Sequence, residues 1–264
     1  MSALAPIVQG QDPVPPMSLG RLIGAYLSDA KYESLRLLRT PAFSVPILAM
    51  PILFYTVIGV LLNGGSHRPP GFADQMFVGW TVYGVMGPGL FGFGILVAVE
   101  RNMGLLTYKR ALPMPTGSYL AAKLIMAYAF AIVVMAMLVA AGLTMGHVAL
   151  APLKLLTVAA VMSLGVIPAC AIGLFIGSWA PASSASAFAN IVYLAMAFLS
   201  GLFFPLSGFL QTIRPVWPTY HLKQLALASA GLPSDGSIAG HLGVLVAMSA
   251  VLILLAARRL AKNG

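Results

Sequence analysis

The sequence holds six long segments of apolar residues, and most of its charged side chains lie between them. One segment, Pro41–Leu62, runs for 22 residues without a charge. About 20 helical residues cross the ~30 Å hydrocarbon core of a bilayer, and a helix pairs the backbone groups that lipid leaves unsatisfied. Charged residues make up 8% of the chain and apolar residues 59%, against roughly 25% and 45–50% in soluble domains. The sequence therefore predicts an all-α integral membrane protein.

The order of these segments predicts the domain organisation. Residues 1–17 are predicted to form a flexible N-terminal segment, residues 18–40 an amphipathic interfacial helix, and residues 41–260 a six-helix transmembrane domain. The spans are predicted at about 41–62, 75–99, 118–146, 153–180, 184–205 and 239–257.

The stretch between the fifth and sixth spans is apolar but repeatedly broken by proline. Prolines stand at Pro205, Pro215, Pro218 and Pro233. Non-spanning backbone at membrane depth is tolerated where protein or water covers it. We therefore expect a re-entrant segment here, although a simple interfacial loop fits the same composition.

The distribution of lysine and arginine predicts the orientation, because cytoplasmic loops carry an excess of both. Eleven lie on the side that holds both chain termini: Arg21, Lys31, Arg36, Arg39, Arg101, Lys109, Arg110, Lys123, Arg258, Arg259 and Lys262. Four lie on the other side: Arg68, Lys154, Arg214 and Lys223. Both termini are therefore expected in the cytoplasm, in agreement with an even number of spans.

Several chemical functions find no support in the sequence. The single cysteine, Cys170, has no partner for a disulfide or a metal cluster. No two histidines stand at metal-ligand spacing in one element, and no carboxylate lies deep in a predicted span. No G-x-x-x-x-G-K-[ST] phosphate-binding loop occurs. We therefore expect no catalytic residue, metal or cofactor in this chain, and no nucleic-acid partner.

Residues 18–39 show the periodicity of an amphipathic helix. Its apolar positions are Leu19, Leu22, Ile23, Tyr26, Leu27, Ala30 and Leu37. The charged residues Arg21, Asp29, Glu33, Arg36 and Arg39 are expected on the opposite face. Such a helix lies in the membrane interface with its apolar side down. It serves either as an anchor for the first span or as a contact for a partner.

The connection that follows the second span resembles a motif of type-2 ABC transporter permeases. It reads E-R-N-M-G-L-L-T-Y-K-R-A-L-P, where the family pattern is E-x-E-x-G-T-L-x-x-L-x-x-T-P. Glu100, Gly104, Leu106 and Pro113 match. Asn102 replaces the second acid of the pattern, which removes any contact that needs that carboxylate.

A second resemblance to the same family lies near the fifth span. Residues 199–210 read L-S-G-L-F-F-P-L-S-G-F-L, and residues 217–222 read W-P-T-Y-H-L. They are similar to the family's S-G-x-x-F-P end of span five and its P-x-x-Y/H segment before span six. With six spans and internal termini, the resemblance covers nearly the whole chain.

The resemblance implies a permease subunit that pairs with a second permease, as a homodimer or heterodimer, and with ATPase subunits that bind ATP and Mg. The ATPase-coupling residues it implies are Glu100, Gly104, Leu105, Leu106, Tyr108, Lys109, Arg110 and Pro113. Glu100 is expected to begin a short helix and to face a cation on an ATPase. The pathway would run along the dimer axis between spans two and five. Span five supplies the pathway candidates Asn190, Tyr193, Ser200, Phe203 and Phe204.

The expected function is that of an ABC exporter permease in a bacterial cytoplasmic (inner) membrane. No charge lies deep in a predicted span, so an amphipathic or lipid-like substrate such as a drug, lipid or glycolipid is expected. A polysaccharide exporter, a non-transporting scaffold or assembly factor, and an uncoupled channel or carrier are the alternatives. Co-purification with an ATPase discriminates a permease from the last two.

Overall fold

The fold is all-helical. The computed structural model describes residues 18–62, 69–105, 108 and 117–263, and within these ranges it contains no β-strand. The class predicted from the sequence is therefore confirmed for this part of the chain. The predicted flexible segment 1–17 lies outside the described residues.

The helices begin and end close to the apolar segments. They are α1 (Leu19–Leu38), α2 (Pro41–Phe54) with a π-helical continuation (Tyr55–Leu62), α3 (Phe72–Asn102), α4 (Ser118–Thr144), α5 (Pro152–Trp179), α6 (Ala185–Leu199), α7 (Phe209–Ile213), a 3₁₀ turn (Arg214–Val216), α8 (Pro218–Ala230) and α9 (Ile238–Asn263). Five stretches of the described residues are long and apolar enough to cross a membrane: Pro41–Leu62, Phe72–Asn102, Ser118–Thr144, Pro152–Trp179 and Ile238–Lys262.

Helix α6 is shorter than the predicted fifth span. The span was expected to reach Pro205, but the helix ends at Leu199 after 15 residues, or about 22 Å at 1.5 Å per residue. Gly201 adopts φ +71°. The N–H groups of Gly201 and Leu202 bond back to the carbonyls of Phe198 and Ala197. This Schellman motif ends the helix, because a left-handed residue turns the chain away from the axis.

Helix α3 is the centre of the bundle, and its closest neighbour is α5. The two backbones approach at Gly173 and Gly177 of α5. A Cβ atom on Gly173 would lie 2.5 Å from the carbonyl oxygen of Leu90, and one on Gly177 would lie 2.8 Å from that of Phe93. Only glycine fits such an approach, as expected for small residues spaced four apart in membrane helices. The G-x-x-x-G pair is therefore a packing contact.

The connection between α6 and α9 forms short helices rather than a loop. In α8, Pro218 occupies the first turn and Gly231, with φ +74°, follows the last. Proline suits the first turn because it lacks only an N–H that has no helical partner there. Most of α8 is buried, and it packs against α5 and α9. The chain after α6 thus covers one end of the bundle.

Helix α1 packs against α4 along one edge. Ala30, Glu33 and Leu37 are buried there, whereas Leu19, Ile23 and Leu27 are more than half exposed. The sequence was expected to place Glu33 on the polar outer face, and that expectation is wrong. Glu33 points into the protein because a cation on α4 lies opposite it.

Candidate functional site

Five side chains from three helices form an ionic cluster at the end of α3, here called the Glu100 cluster. Its members are Glu33 and Arg36 of α1, Glu100 of α3, and Tyr119 and Lys123 of α4. The Lys123 ammonium lies 2.6 Å from Glu33 Oε1 and 3.1 Å from Glu100 Oε2. Tyr119 donates its hydroxyl to Glu100 Oε2 at 2.6 Å, and Arg36 donates to Glu100 Oε1 at 3.2 Å. The cluster joins α1, α3 and α4.

The charges of the Glu100 cluster balance. Two carboxylates face two cations, and the side chains of Glu100 and Lys123 are 2% and 1% exposed. Removing one partner of a buried ion pair typically costs about 3–5 kcal/mol, because the other charge stays buried without compensation. Each member is therefore needed to keep the others inside the protein.

The residue after Glu100 joins the same end of α3 to α5. Arg101 donates from one guanidinium nitrogen to the carbonyl oxygen of Ser178 and from the other to that of Ala180, the latter at 2.8 Å. The last carbonyls of a helix have no helical partner, and cations near them are favourable. Two consecutive side chains thus hold the end of α3 against three other helices.

The placement of Glu100 differs from the sequence expectation. It was expected to begin a short helix and to face a cation on an ATPase. Instead it lies in the last turn of α3, where the helix dipole disfavours a carboxylate. Lys123, Arg36 and the Tyr119 hydroxyl offset that cost by binding it inside the protein. Glu100 is thus buried within the subunit in this conformation.

Some of the other predicted coupling residues lie in the part of the chain that the structure describes, and some lie outside it. Gly104 adopts φ +70° and reverses the chain direction after α3. Leu105 is 37% exposed and Tyr108 is 64% exposed, so both offer apolar surface. Leu106, Lys109, Arg110 and Pro113 lie outside the described residues. The ATPase-coupling role of the segment stays a prediction.

A groove of about 430 Å³ lies between α2, α3 and α6. Its walls are mainly apolar, and Ser186 and Asn190 supply polar groups. Asn190 is exposed, and its amide makes no hydrogen bond within the described part of the chain. An amide in hydrocarbon is costly without a partner. A ligand, water or a second protein chain must therefore meet Asn190.

Tyr193 closes the inner side of this groove. Its hydroxyl donates to the carbonyl oxygen of Tyr83 at 2.6 Å, and the two rings stack with centroids 4.3 Å apart. A Cβ atom on Gly87 would lie 3.1 Å from the same hydroxyl. Tyr193 therefore ties α6 to α3 and also presents its ring to the groove.

The three remaining pathway candidates are not assembled around the groove. Ser200 is buried and donates to the carbonyl oxygen of Met196 at 2.5 Å. Phe203 is 6% exposed and stacks on Trp80 with ring centroids 4.0 Å apart. Phe204 is 49% exposed. The structure thus places Asn190 and Tyr193 at the groove, Phe204 at the surface, and Ser200 and Phe203 inside the subunit.

Sequence reasoning missed the most connected charged residues. Lys123 was assigned to the cytoplasmic count and to a family position but to no partner, although a lone cation within the apolar segment 118–146 was a signal of a buried partner. Glu33 gave no such signal, because its partner is 90 positions away. The pairing of His221 with His241, 20 positions apart, was also missed.

Comparison with known proteins identifies the family. The sequence profile of the ABC-2 type transporter family matches residues 25–228. A protein of Bacillus subtilis (strain 168), provisionally named transport permease YvfS, is 26% identical over 207 residues, which cover 76% of this chain and 84% of the relative. The matched region includes α3, the Glu100 cluster and the groove. The chain is therefore a multi-pass membrane protein that belongs to the ABC-2 type transporter family.

Proposed function

We propose that this chain is the transmembrane subunit of an exporter that moves an amphipathic or lipid-like molecule across the cytoplasmic membrane of a bacterium. A separate ATPase subunit binds ATP and Mg and hydrolyses the nucleotide. The family match supports a transporter subunit, and the sequence holds no phosphate-binding loop of its own. The chain itself then contributes the pathway and the contact with the ATPase.

The observation that carries this proposal is the fixation of the end of α3 by Glu100 and Arg101. The segment after α3 offers exposed Leu105 and Tyr108 to a partner. A force on this segment reaches α1 and α4 through Glu100 and α5 through Arg101. An ATPase docked on residues 103–113 would therefore move several helices together.

Helix α6 makes the fifth of six crossings in this proposal. Its 15 residues span less than the ~30 Å of hydrocarbon, and the residues after it complete the crossing. The turn at residues 200–203 and helix α8 are largely buried, so the protein covers their backbone groups. Both termini are then cytoplasmic, in agreement with the lysine and arginine count.

The groove between α2, α3 and α6 supports both the pathway and the substrate class. It opens towards the surface of the single subunit, where a second copy of the permease completes it. Its lining is mainly apolar, and its polar groups are one uncharged amide and hydroxyls. A neutral amphipathic molecule matches such walls, whereas a strongly charged one finds no counter-ion among them.

The test is purification of the full chain with whatever it binds, followed by ATP hydrolysis in lipid vesicles. We expect a co-eluting subunit with a phosphate-binding loop, and hydrolysis that rises with apolar test compounds. The variant Tyr108→Ala should no longer retain the ATPase subunit, whereas Ile132→Ala on the outer face of α4 should still retain it. If the chain elutes alone and the purified sample hydrolyses no ATP, this favours a scaffold and contradicts the proposal.

A further inference from the structure

Two histidine rings meet where α8 packs against the start of α9. Nδ1 of His221 lies 2.8 Å from Nδ1 of His241. Both residues are buried, at 6% and 8% exposure. A distance of 2.8 Å between two nitrogens is that of a hydrogen bond. One of the two Nδ1 atoms must therefore carry a hydrogen.

The Nε2 atoms of both rings already donate hydrogen bonds. His221 Nε2 lies 2.8 Å from the carbonyl oxygen of Pro215, and His241 Nε2 lies 2.6 Å from that of Asp235. A carbonyl oxygen only accepts, so both Nε2 atoms carry hydrogen. A neutral imidazole has one N–H, which leaves two bare lone pairs facing each other if both rings are neutral. The geometry requires one proton more.

A metal ion between the rings fits this geometry less well than a proton. Zinc binds histidine nitrogen at about 2.0–2.1 Å in a tetrahedral arrangement, which puts two ligand nitrogens about 3.3 Å apart. The observed separation is half an ångström shorter. Within the described residues, no group of three or more histidine, cysteine or carboxylate side chains is placed to hold a metal.

We propose that His221 and His241 form a binding site for one excess proton, shared between their Nδ1 atoms. The shared proton latches α9 and the connection before it onto α8. Asp235, in that connection, contacts the same region three times. Its carbonyl accepts from His241, its N–H donates to Gln224 Oε1 at 2.8 Å, and its carboxylate binds Arg214 at 2.8 Å.

The neighbouring charged groups do not compete with the two histidines for the shared proton. At this end of the surrounding elements, the described charged and titratable groups include Asp74, Lys154, Arg214, Tyr220, Lys223 and Asp235. Both carboxylates in this set are already bonded, Asp74 to the N–H of Ala149 and Asp235 to Arg214. Tyr220 packs edge-on against both rings, and Lys223 donates to the carbonyl of Gly201.

The latch holds within a window of pH. Burial lowers the pKa of His221 below its usual range, and the neighbouring His241 lowers it further. This shift opposes positive charge on the pair, whereas the two facing Nδ1 lone pairs favour one shared proton. A second proton, which binds only below pH ~6.5, brings two Nδ1–H groups together, and these repel each other. At alkaline pH the shared proton leaves and two lone pairs face each other. Both changes release the connection from α8.

The first test counts protons on the rings. The full chain, with histidine labelled in ¹⁵N, is placed in lipid vesicles and examined by solid-state NMR near pH 7. The variants His221→Gln and His241→Gln assign the signals. We expect two protonated Nε2 atoms and one protonated Nδ1 atom in the pair. Two unprotonated Nδ1 atoms near neutral pH would overturn the proposal.

The second test follows the latch by hydrogen exchange of residues 232–241, corrected for the intrinsic pH dependence of exchange. We expect several-fold faster exchange at pH 5 and at pH 9.5 than at pH 7. His221→Gln and His241→Gln should each flatten this profile. His147→Gln, at an exposed histidine, should keep it. An unchanged profile in both pair variants, or protection of the wild type by added Zn²⁺ alone, would overturn the shared-proton site.

Discussion

Lys123 Nζ lies 2.6 Å from Glu33 Oε1, which joins α4 to α1 inside the protein across 90 positions of sequence. The same ammonium contacts Glu100 at the end of α3. One cation therefore neutralises carboxylates from two helices, and it does so where the predicted ATPase-contact segment begins. The stability of the subunit and its proposed coupling to an ATPase depend on the same group of atoms.

Replacing Lys123 with methionine should destabilise the protein by about 3–5 kcal/mol, because two carboxylates stay buried with only the half-exposed Arg36 nearby. The midpoint of thermal unfolding in detergent measures this. Lys123→Arg should retain most of the stability, and the exposed Lys31→Met is the matched control. Equal midpoints for Lys123→Met and the wild type would exclude a structural role for the cluster.

Truncating Tyr108 to alanine should weaken ATPase binding with no effect on folding, because the side chain is exposed. Loss of one central interface contact costs about 2 kcal/mol or more, or roughly 30-fold in affinity. Titration of the purified ATPase onto the permease in detergent checks this. Phe209→Ala removes an equally exposed aromatic side chain at α7 and should bind normally. Normal binding by Tyr108→Ala would place the ATPase contact elsewhere.

The variant Asn190→Leu should change the stimulation of ATP hydrolysis by apolar compounds while the complex still assembles. The amide is an exposed polar group of the groove and has no partner in the described part of the subunit. Hydrolysis is measured in vesicles against compound concentration, with Ile191→Ala, also exposed, as control. If Asn190→Leu instead prevents pairing of two permeases, its amide bonds across the subunit interface.

Labelling of single cysteines tests the orientation. A cysteine at Ser237 should react with an impermeant thiol reagent added outside intact cells, and one at Asn102 should not. The native Cys170 is 6% exposed and contributes little background. Reaction of the cysteine at position 102 from outside would show that the topology is inverted. The proposed ATPase contact would then not lie in the cytoplasm.

Lys223 should make stability depend on alkaline pH. Burial lowers its pKa to about 8, so between pH 8 and ~10.4 the unfolded chain binds more protons than the folded one. The stability of the wild type should therefore rise across this window relative to Lys223→Met, since the cost of the buried charge disappears. Thermal unfolding at pH 7.5 and 10 measures the difference, with exposed Lys154→Met as control. If the stability of the wild type and of Lys223→Met changes in the same way with pH, burial does not lower the pKa of Lys223.

The amino-acid sequence by itself determined the class of the protein and the positions of most helices. Lipid satisfies no backbone group, so each long uncharged segment has to be a helix, and the charged residues between segments mark its ends. The E-x-x-x-G and S-G-x-x-F-P motifs also led to the correct family. These features are local, and a local pattern is readable without a structure.

Only the tertiary structure decided which polar groups are paired. Glu33 and Lys123, or His221 and His241, become partners because helix packing brings distant positions together, and nothing in the spacing of either pair records this. The same holds for the end of α6 at Leu199, where Gly201 turns the chain and Lys223 of α8 donates to its carbonyl. A buried charge or an unpaired carbonyl is stable only when another part of the fold supplies its partner. The sequence alone does not specify which residue that is.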